Sequence, residues 1–145
     1  MTHSGDLTDR TCFPLWAREA VRYCDTDRQG HVNNAIFATY FESGEMAWLG
    51  HPGAALIPPG CSYVTARLLI DYRREILWPD VVDIGTVVLA MGKSSLTIGH
   101  GLFAGEHCVA TGEDVLVLTD NVTRRPVPLP EDVRLRLAGA SLKQP

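Results

Sequence analysis

Residues 23–34 concentrate side chains that could carry out nucleophilic or acid–base chemistry. The segment reads YCDTDRQGHVNN, with two carboxylates, Asp25 and Asp27, ahead of His31 and the adjacent amides Asn33 and Asn34. A carboxylate can attack a carbonyl carbon or activate water, and free N–H groups at a helix start can stabilise the developing oxyanion. Acyl transfer needs both parts. Because Asp, Asn and Gly are also ordinary turn and capping residues, spacing alone leaves the catalytic and the structural interpretation open.

The neighbouring elements must position these side chains. Residues 13–24 alternate as a strand does, and residues 36–48 carry a wide apolar stripe at helical spacing, which predicts a helix to about Leu49. Asn33 or Asn34 can cap that helix. Gly44 lies inside the stripe and predicts a close approach of the helix to another backbone.

The rest of the chain predicts four more strands joined mostly by short turns. They cover residues 63–73, 81–91, 95–103 and 108–119, and a short helix is predicted over 131–137. Short connections favour antiparallel pairing, and a helix with a broad apolar face must pack on such a sheet. The predicted fold class is therefore α+β, a curved antiparallel sheet around a long central helix. We expect a single domain over residues 1–145, with loose tails at 1–11 and from about 138 to 145.

Composition argues against several classes of protein. The 145 residues are 46% hydrophobic with a net charge of -4, which predicts a packed globule and argues against a dedicated nucleic-acid binder. No apolar run approaches the length of a membrane span, and residues 1–11 do not resemble a signal peptide. Four scattered cysteines are typical of reduced thiols, so the expected location is the cytoplasm.

The string DTDRQGHVNN, placed between the predicted strand and helix, resembles the 4-hydroxybenzoyl-CoA thioesterase-like branch of the hotdog superfamily, which includes many bacterial acyl-CoA thioesterases. The similarity is most specific over residues 23–44. It continues more weakly through the strand order, the turn at 92–95 and the ending VPLP. The resemblance implies a hotdog fold and hydrolysis of an acyl-CoA or a related acyl thioester. It also implies that thioester sites lie at a dimer interface. The edge strand that such a sheet leaves unpaired predicts a homodimer or homotetramer, and the expected chemistry requires no metal or bound cofactor.

The resemblance also assigns roles to residues. The second Asp of the D-x-D pair is the family's catalytic carboxylate and falls on Asp27, while the helix-start N–H that polarises the carbonyl falls at about Asn34. The HVNN portion is similar to plant acyl-ACP thioesterases, whose Asp and His spacing Asp27 and His31 match, although Gln29 stands where those enzymes carry Asn. We therefore predict Asp27, His31 and Asn34 as catalytic. Asn33 is predicted to bind substrate or to serve only as the helix cap.

Charged residues elsewhere receive weaker predictions. Lys93, Arg124 and Arg125 lie at turns or strand ends and are predicted to bind CoA phosphates, although solvated surface charge is the commoner role. Asp25 is interpreted as a supporting or turn carboxylate. Glu42 is the second carboxylate to consider for catalysis.

Two further features of the sequence complete the site predictions. Glu45 is predicted to share the polar side of the helix with Glu42. His51, His100 and His107 lack metal-ligand spacing, so no metal site is predicted.

Two alternatives remain beside hydrolysis. Hotdog hydratases and dehydratases also pair an acidic residue with a His, but their motif usually spaces the pair one residue further apart than Asp27 and His31. A non-catalytic acyl-binding hotdog protein has no need of a carboxylate beside a bound carbonyl. An α/β-hydrolase is disfavoured because the sequence has no GxSxG motif.

Overall fold

The long helix predicted after residue 33 organises the fold. In the computed structural model, which describes residues 5–142, this helix is α1, Asn34–Leu49. Asn33 caps it, because its side-chain oxygen accepts a hydrogen bond from the N–H of Ala35 at 3.0 Å. Gly50 ends it, as predicted from the Gly and Pro residues that follow.

Five strands form one antiparallel sheet in the order β1-β3-β4-β5-β2. The strands are β1 Leu15–Ala20, β2 Cys61–Tyr72, β3 Val81–Met91, β4 Ser95–Ala104 and β5 His107–Asp120, and a second helix, α2, covers Glu131–Ala138. The predicted α+β class and antiparallel pairing are confirmed. Because β3, β4 and β5 occupy the middle, β1 and β2 are the two edges of the sheet.

The first strand is shorter than predicted. It stops at Ala20, and Tyr23–Asp25 forms a single turn of 3-10 helix instead of continuing the strand. The cause is Asp25, whose carboxylate accepts a hydrogen bond from the backbone N–H of Arg22 at 2.9 Å and so bends the chain back on itself. Alternation of residue types along 13–24 carries no sign of this contact.

The apolar face of α1 packs on the sheet. Phe37, Tyr40 and Phe41 are buried there, and so is Gly44. A Cβ at Gly44 would overlap the side chain of Ile84 on β3, so the predicted close approach exists, but it is to a side chain and not to a backbone. These contacts hold the helix against the centre of the sheet.

One prediction about α1 is wrong. Glu45 was expected on the polar side of the helix, yet it is buried at 4% exposure. Glu45 follows Phe41 by four residues, one turn of an α-helix, so both side chains point to the sheet. Glu42 is exposed, as predicted.

Parts of the two predicted tails make contacts with the rest of the fold within the described residues. Asp9 caps a turn of 3-10 helix at Arg10–Cys12 by accepting the N–H of Thr11. At the other end Ala140 is 4% exposed, and its carbonyl accepts the N–H of Val88 on β3 at 2.8 Å. Residues 1–4 and 143–145 lie outside the described part.

Candidate active site

The loop that precedes α1 is a tight turn between Asp27 and His31. The N–H of Asp27 donates to the carbonyl of His31 at 2.9 Å, and the N–H of Gly30 donates to the carbonyl of Asp27 at 3.1 Å. Gly30 has φ +87°, in the left-handed region that residues with a Cβ rarely adopt. The glycine therefore allows the turn that brings Asp27 and His31 opposite each other.

The carboxylate of Asp27 is only partly engaged. One oxygen, Oδ1, accepts the N–H of Gln29 at 2.9 Å, and the other, Oδ2, lies 4.0 Å from Nδ1 of His31. The side chain of Asp27 is 33% exposed and that of His31 is 30% exposed, so both are accessible to a ligand. Gln29 contributes a backbone donor that orients the carboxylate.

The start of α1 is anchored beside this turn. The N–H of Val32 donates to the carbonyl of Ile76 at 2.8 Å, and the N–H of Asn33 donates to the carbonyl of Asp25 at 2.9 Å. Asn33 in turn accepts the N–H of Ala35 with its side chain, so its oxygen serves as the helix cap. This cap bond uses the N–H of Ala35 and does not use the N–H of Asn34, which lies at the positive end of the helix.

Asp25 is buried and fully paired. Its carboxylate receives Nη2 of Arg22 at 2.8 Å and the hydroxyl of Tyr40 at 3.1 Å, in addition to the N–H of Arg22. Burial acts to raise the pKa of this carboxyl, but the hydrogen bonds from Arg22 and Tyr40 and the Arg22 charge outweigh it and hold the pKa below its usual range. Asp25 therefore fixes the loop to α1 rather than facing a ligand.

A pocket of about 280 Å³ opens beside the turn. Its lining includes His31, Asn34, Phe37, Tyr72, Arg73 and Arg74. Asp27 does not line the pocket, but its carboxylate is 4.0 Å from the ring of His31, which does. The other ring nitrogen of His31, Nε2, lies 3.5 Å from Oε2 of Glu75, so the imidazole stands between two carboxylates.

Sequence reasoning missed Glu75 and the adjacent basic pair. The segment after β2 reaches the site because Leu77 pairs with His31, and Ile76 accepts the N–H of Val32. A basic pair followed by an acid at the end of a strand is visible in the sequence. Its link to the loop depends on this pairing, which no local pattern reveals.

The three predicted phosphate-binding cations lie elsewhere in the chain. β3 begins four residues after Leu77, close to the turn, and Lys93 follows its far end. Ten residue steps along β3 span roughly 33 Å. Arg124 and Arg125 follow β5 at that same far end, where Ser94 accepts the N–H of Leu118. Within one chain, these cations and Asp27 are therefore not brought together.

A second polar cluster lies in the core. Glu45 of α1, His100 of β4 and Asp114 of β5 are each buried, and ligand atoms of the three lie within 4.8 Å of one another. Burial raises the pKa of Glu45 to about 7, and burial together with the Glu45 charge raises the pKa of Asp114 to about 7. Burial lowers the pKa of His100 to about 4. No local sequence signal marks this cluster, since its members come from three separate elements.

A larger pocket, of about 480 Å³, lies beside the carboxyl-terminal half of α1. Its lining includes Leu15, Trp16, Ala47 and Trp48, and the described residues around it supply no carboxylate. It therefore lacks the chemistry found at the turn. No helix in residues 5–142 is long and apolar enough to cross a membrane.

The architecture, a curved antiparallel sheet around one long helix, corresponds to the hotdog class of proteins. The family model of the thioesterase-like superfamily matches residues 21–137, and the chain belongs to that superfamily.

Three known proteins illustrate the similarity. A thioesterase from Thermus thermophilus, solved in complex with coenzyme A and Zn, is 36% identical with a TM-score of 0.76, covering 86% of this chain and 98% of that one. Protein YsmA of Bacillus subtilis is 31% identical over 111 residues, 74% of each chain. YbgC of Escherichia coli O6:H1, an acyl-CoA thioester hydrolase, is 25% identical over 117 residues, 78% of this chain and 87% of that protein.

Proposed function

We propose that this protein hydrolyses an acyl-CoA or a related acyl thioester, releasing a free carboxylic acid and a thiol. The observation that carries the proposal is the turn at residues 27–31, which holds a partly exposed carboxylate next to the start of α1. The proposal is supported by membership of the thioesterase-like superfamily. Among the relatives, YbgC is an acyl-CoA thioester hydrolase and the Thermus enzyme was solved with coenzyme A.

In the proposed reaction the thioester carbonyl oxygen accepts the N–H of Asn34 at the positive end of α1. This interaction strengthens as negative charge develops on the oxygen. Asp27 either attacks the carbonyl carbon, expelling the thiolate and forming a mixed anhydride that water then cleaves, or removes a proton from the attacking water. Both routes consume one water and end with the acid and the thiol. The thiolate is a good leaving group and needs little acid assistance.

His31 and Asn33 have supporting roles in this proposal. His31 lies between Asp27 and Glu75 and orients the carboxylate or the water. The oxygen of Asn33 is committed to the helix cap, so only its amide nitrogen is free to donate to a ligand. Arg73 and Arg74 line the pocket. These two arginines belong to the same chain as Asp27, and their positive charge would favour binding of a phosphorylated carrier.

A hydrolysis panel tests the proposal. Short, long, branched and aromatic acyl-CoAs are incubated with the protein, and thiol release is measured. We expect turnover of at least one substrate, with one acid formed for each thiol. An enoyl-CoA is assayed for hydration in parallel. Hydration without thiol release would replace the proposal with a hydratase, and binding without any turnover would replace it with an acyl-binding protein.

We also propose a homodimer, alone or as half of a homotetramer, formed through β2. This strand lies at a sheet edge, and Val64, Leu68, Leu69 and Tyr72 on it are exposed hydrophobic residues. A second copy pairing antiparallel with β2 would remove the unpaired edge and cover these side chains.

In such a dimer, each active site would contain residues of both subunits. Tyr72 ends β2 and donates its hydroxyl to the carbonyl of Asn34 at 2.9 Å, so that end of β2 lies at the active site. The start of β2 lies by the turn that carries Arg124 and Arg125, because the N–H of Asn121 donates to the carbonyl of Gly60 at 2.9 Å. Antiparallel pairing would set these arginines, and Lys93 near them, beside the partner's substrate.

Mixed dimers test this arrangement. Asp27→Asn is introduced in one subunit and the Arg124→Ala, Arg125→Ala pair in the other. If the arginines serve the partner's site, the intact Asp27 works with the intact arginines, and KM for acyl-CoA stays near its wild-type value at half the activity. If KM is raised as in the arginine variant alone, the arginines act within their own subunit.

We also propose that the protein is located in the cytoplasm. All four cysteines, Cys12, Cys24, Cys61 and Cys108, are free thiols in the structure. Unpaired thiols are usual in a reducing compartment. Localisation of a tagged full-length chain by fractionation tests this point.

A further inference from the structure

The cluster of Glu45, His100 and Asp114 has no role in the proposed hydrolysis. The three residues are exposed by only 4%, 0% and 6%. Each contributes one buried atom that makes no hydrogen bond within the described residues: Oε2 of Glu45, Nε2 of His100 and Oδ1 of Asp114. Unsatisfied buried polar atoms are rare in native proteins, and three in one place indicate a common partner.

The geometry fits a cation as that partner. Ligand atoms of the three residues lie within 4.8 Å of one another, and Nε2 of His100 is 3.4 Å from Oε2 of Glu45. Tetrahedral zinc with bonds of about 2.0–2.1 Å sets its ligand atoms roughly 3.3 Å apart. The observed separation therefore matches two corners of such a site.

His100 is oriented as metal-binding histidines usually are. Its Nδ1 faces the hydroxyl of Thr86 at 3.5 Å, and the ring stacks on Phe41 with centroids 5.0 Å apart. A ligating imidazole commonly engages its second nitrogen with a neighbouring group, which fixes the ring and leaves the other nitrogen for the metal. Here Nε2 is the nitrogen that faces the carboxylate of Glu45, 3.4 Å from its Oε2.

We propose that Glu45, His100 and Asp114 bind one divalent transition-metal ion, Zn²⁺ by preference, in the core of the protein. Two carboxylates and a neutral imidazole carry two negative charges, which a divalent ion balances where solvent cannot. Nitrogen and carboxylate ligands together suit zinc better than the all-oxygen sites of calcium or magnesium. The ligands come from α1, β4 and β5, so the ion would tie the helix to the middle of the sheet.

The competing arrangement has no metal. The carboxyl groups of Glu45 and Asp114 interact with each other, so they could share a proton instead. In that case the core stays neutral without an ion. Metal content separates the two arrangements and does not depend on whether the protein is a thioesterase.

Elemental analysis is the first test. The full chain is purified without chelator from cells grown with added zinc, and bound metals are measured by mass spectrometry. We expect about one metal ion per chain in the wild type and less than a tenth of that in the double variant Glu45→Gln, Asp114→Asn. Glu113→Gln removes a carboxylate from the residue beside Asp114 and should keep the metal. Equal metal in the double variant would overturn the site.

Cobalt substitution is the second test and needs no variant to fold. The wild-type chain is unfolded with a chelator, freed of metal, and refolded with Co²⁺ alone. Intense visible absorption bands with a one-to-one endpoint, and a melting temperature that rises with Co²⁺ concentration, are expected. The proposal would be wrong if the wild-type protein carries no metal after growth in zinc and, once refolded with Co²⁺, gives no cobalt bands. The two carboxyl groups would then share a proton.

Discussion

The substitution Asp27→Asn distinguishes a catalytic role of the Asp27 carboxylate from a purely structural role in the turn. In the structure the carboxylate accepts one backbone hydrogen bond, from Gln29, and its side chain is 33% exposed. The side-chain oxygen of Asn can accept the same hydrogen bond. The free energy of unfolding should therefore fall only by the difference between a charged and a neutral acceptor, about 0.5–1 kcal/mol. For a chain of this size, that lowers the melting temperature by roughly 1–4 °C.

The expected effect on turnover is much larger. Removing the nucleophile or base should lower kcat by ~10²-fold or more, which corresponds to about 2.7 kcal/mol of lost transition-state stabilisation. The assay is thiol release with the best substrate of the panel, beside thermal unfolding of the same samples. KM should change little, because the variant still offers the helix start and the pocket to the ligand.

Asp9→Asn is the matched control. Oδ1 of Asp9 accepts the N–H of Thr11 at 2.9 Å, as Oδ1 of Asp27 accepts that of Gln29, and it lies outside the proposed site. It also accepts the Thr11 hydroxyl at 2.8 Å, so the thermal shift of Asp9→Asn is an upper limit for the backbone contact alone. Asp9→Asn should reproduce any small thermal shift and leave kcat unchanged. If Asp27→Asn keeps near-wild-type kcat, or if both variants lose activity alike, the catalytic assignment of Asp27 is refuted and Glu42 is the next carboxylate to substitute.

Three further predictions concern the contacts around the site, the packing of α1 and the proposed dimer interface. Asp25→Asn should cost about 1–3 kcal/mol of unfolding free energy, reduced by the exposure of Arg22. Because the pKa of Asp25 is held below its ordinary 3.8, its stabilisation is present at neutral pH and lost as the pH falls below that value. Wild-type melting temperatures should therefore decline more steeply in acid than those of the variant. Gly44→Ala should lower the melting temperature although Ala is the better helix former, since its Cβ would overlap a side chain of β3, and a rise would contradict this packing. Val64→Lys should convert dimers into folded monomers by light scattering, whereas Leu135→Lys on α2 should leave the assembly intact; dimers in both would remove β2 from the interface.

Local patterns were sufficient to predict most of the fold. The cap at Asn33 and the stripe that follows it mark α1 because a helix depends on contacts three and four residues apart. The strands β2 to β5 are marked by alternation and by short turns. The predicted strand over residues 13–24 was too long because a contact between Asp25, Arg22 and Tyr40 ends it, and that contact forms only in the folded chain.

The candidate site was predictable only where it is continuous in sequence. Asp27, His31 and Asn34 lie within one motif, so the resemblance could assign each of them a predicted role, and the substitution Asp27→Asn tests the first of these. Glu75 enters through the pairing of distant segments, which no local rule describes. Glu45 was misplaced because its charge suggested the surface, whereas its position on the helix faces the sheet.

If the proposed β2 dimer forms, the hydrogen bond from Tyr72 to the carbonyl of Asn34 would make activity depend on protein concentration. It connects the last residue of an edge strand to the helix turn whose N–H groups would receive the substrate carbonyl. Any partner that straightens or restrains β2 would therefore also stiffen that turn. Dimer formation and substrate binding would then be thermodynamically linked. Dilution would lower the activity before the subunits unfold, and a saturating ligand would favour the dimer.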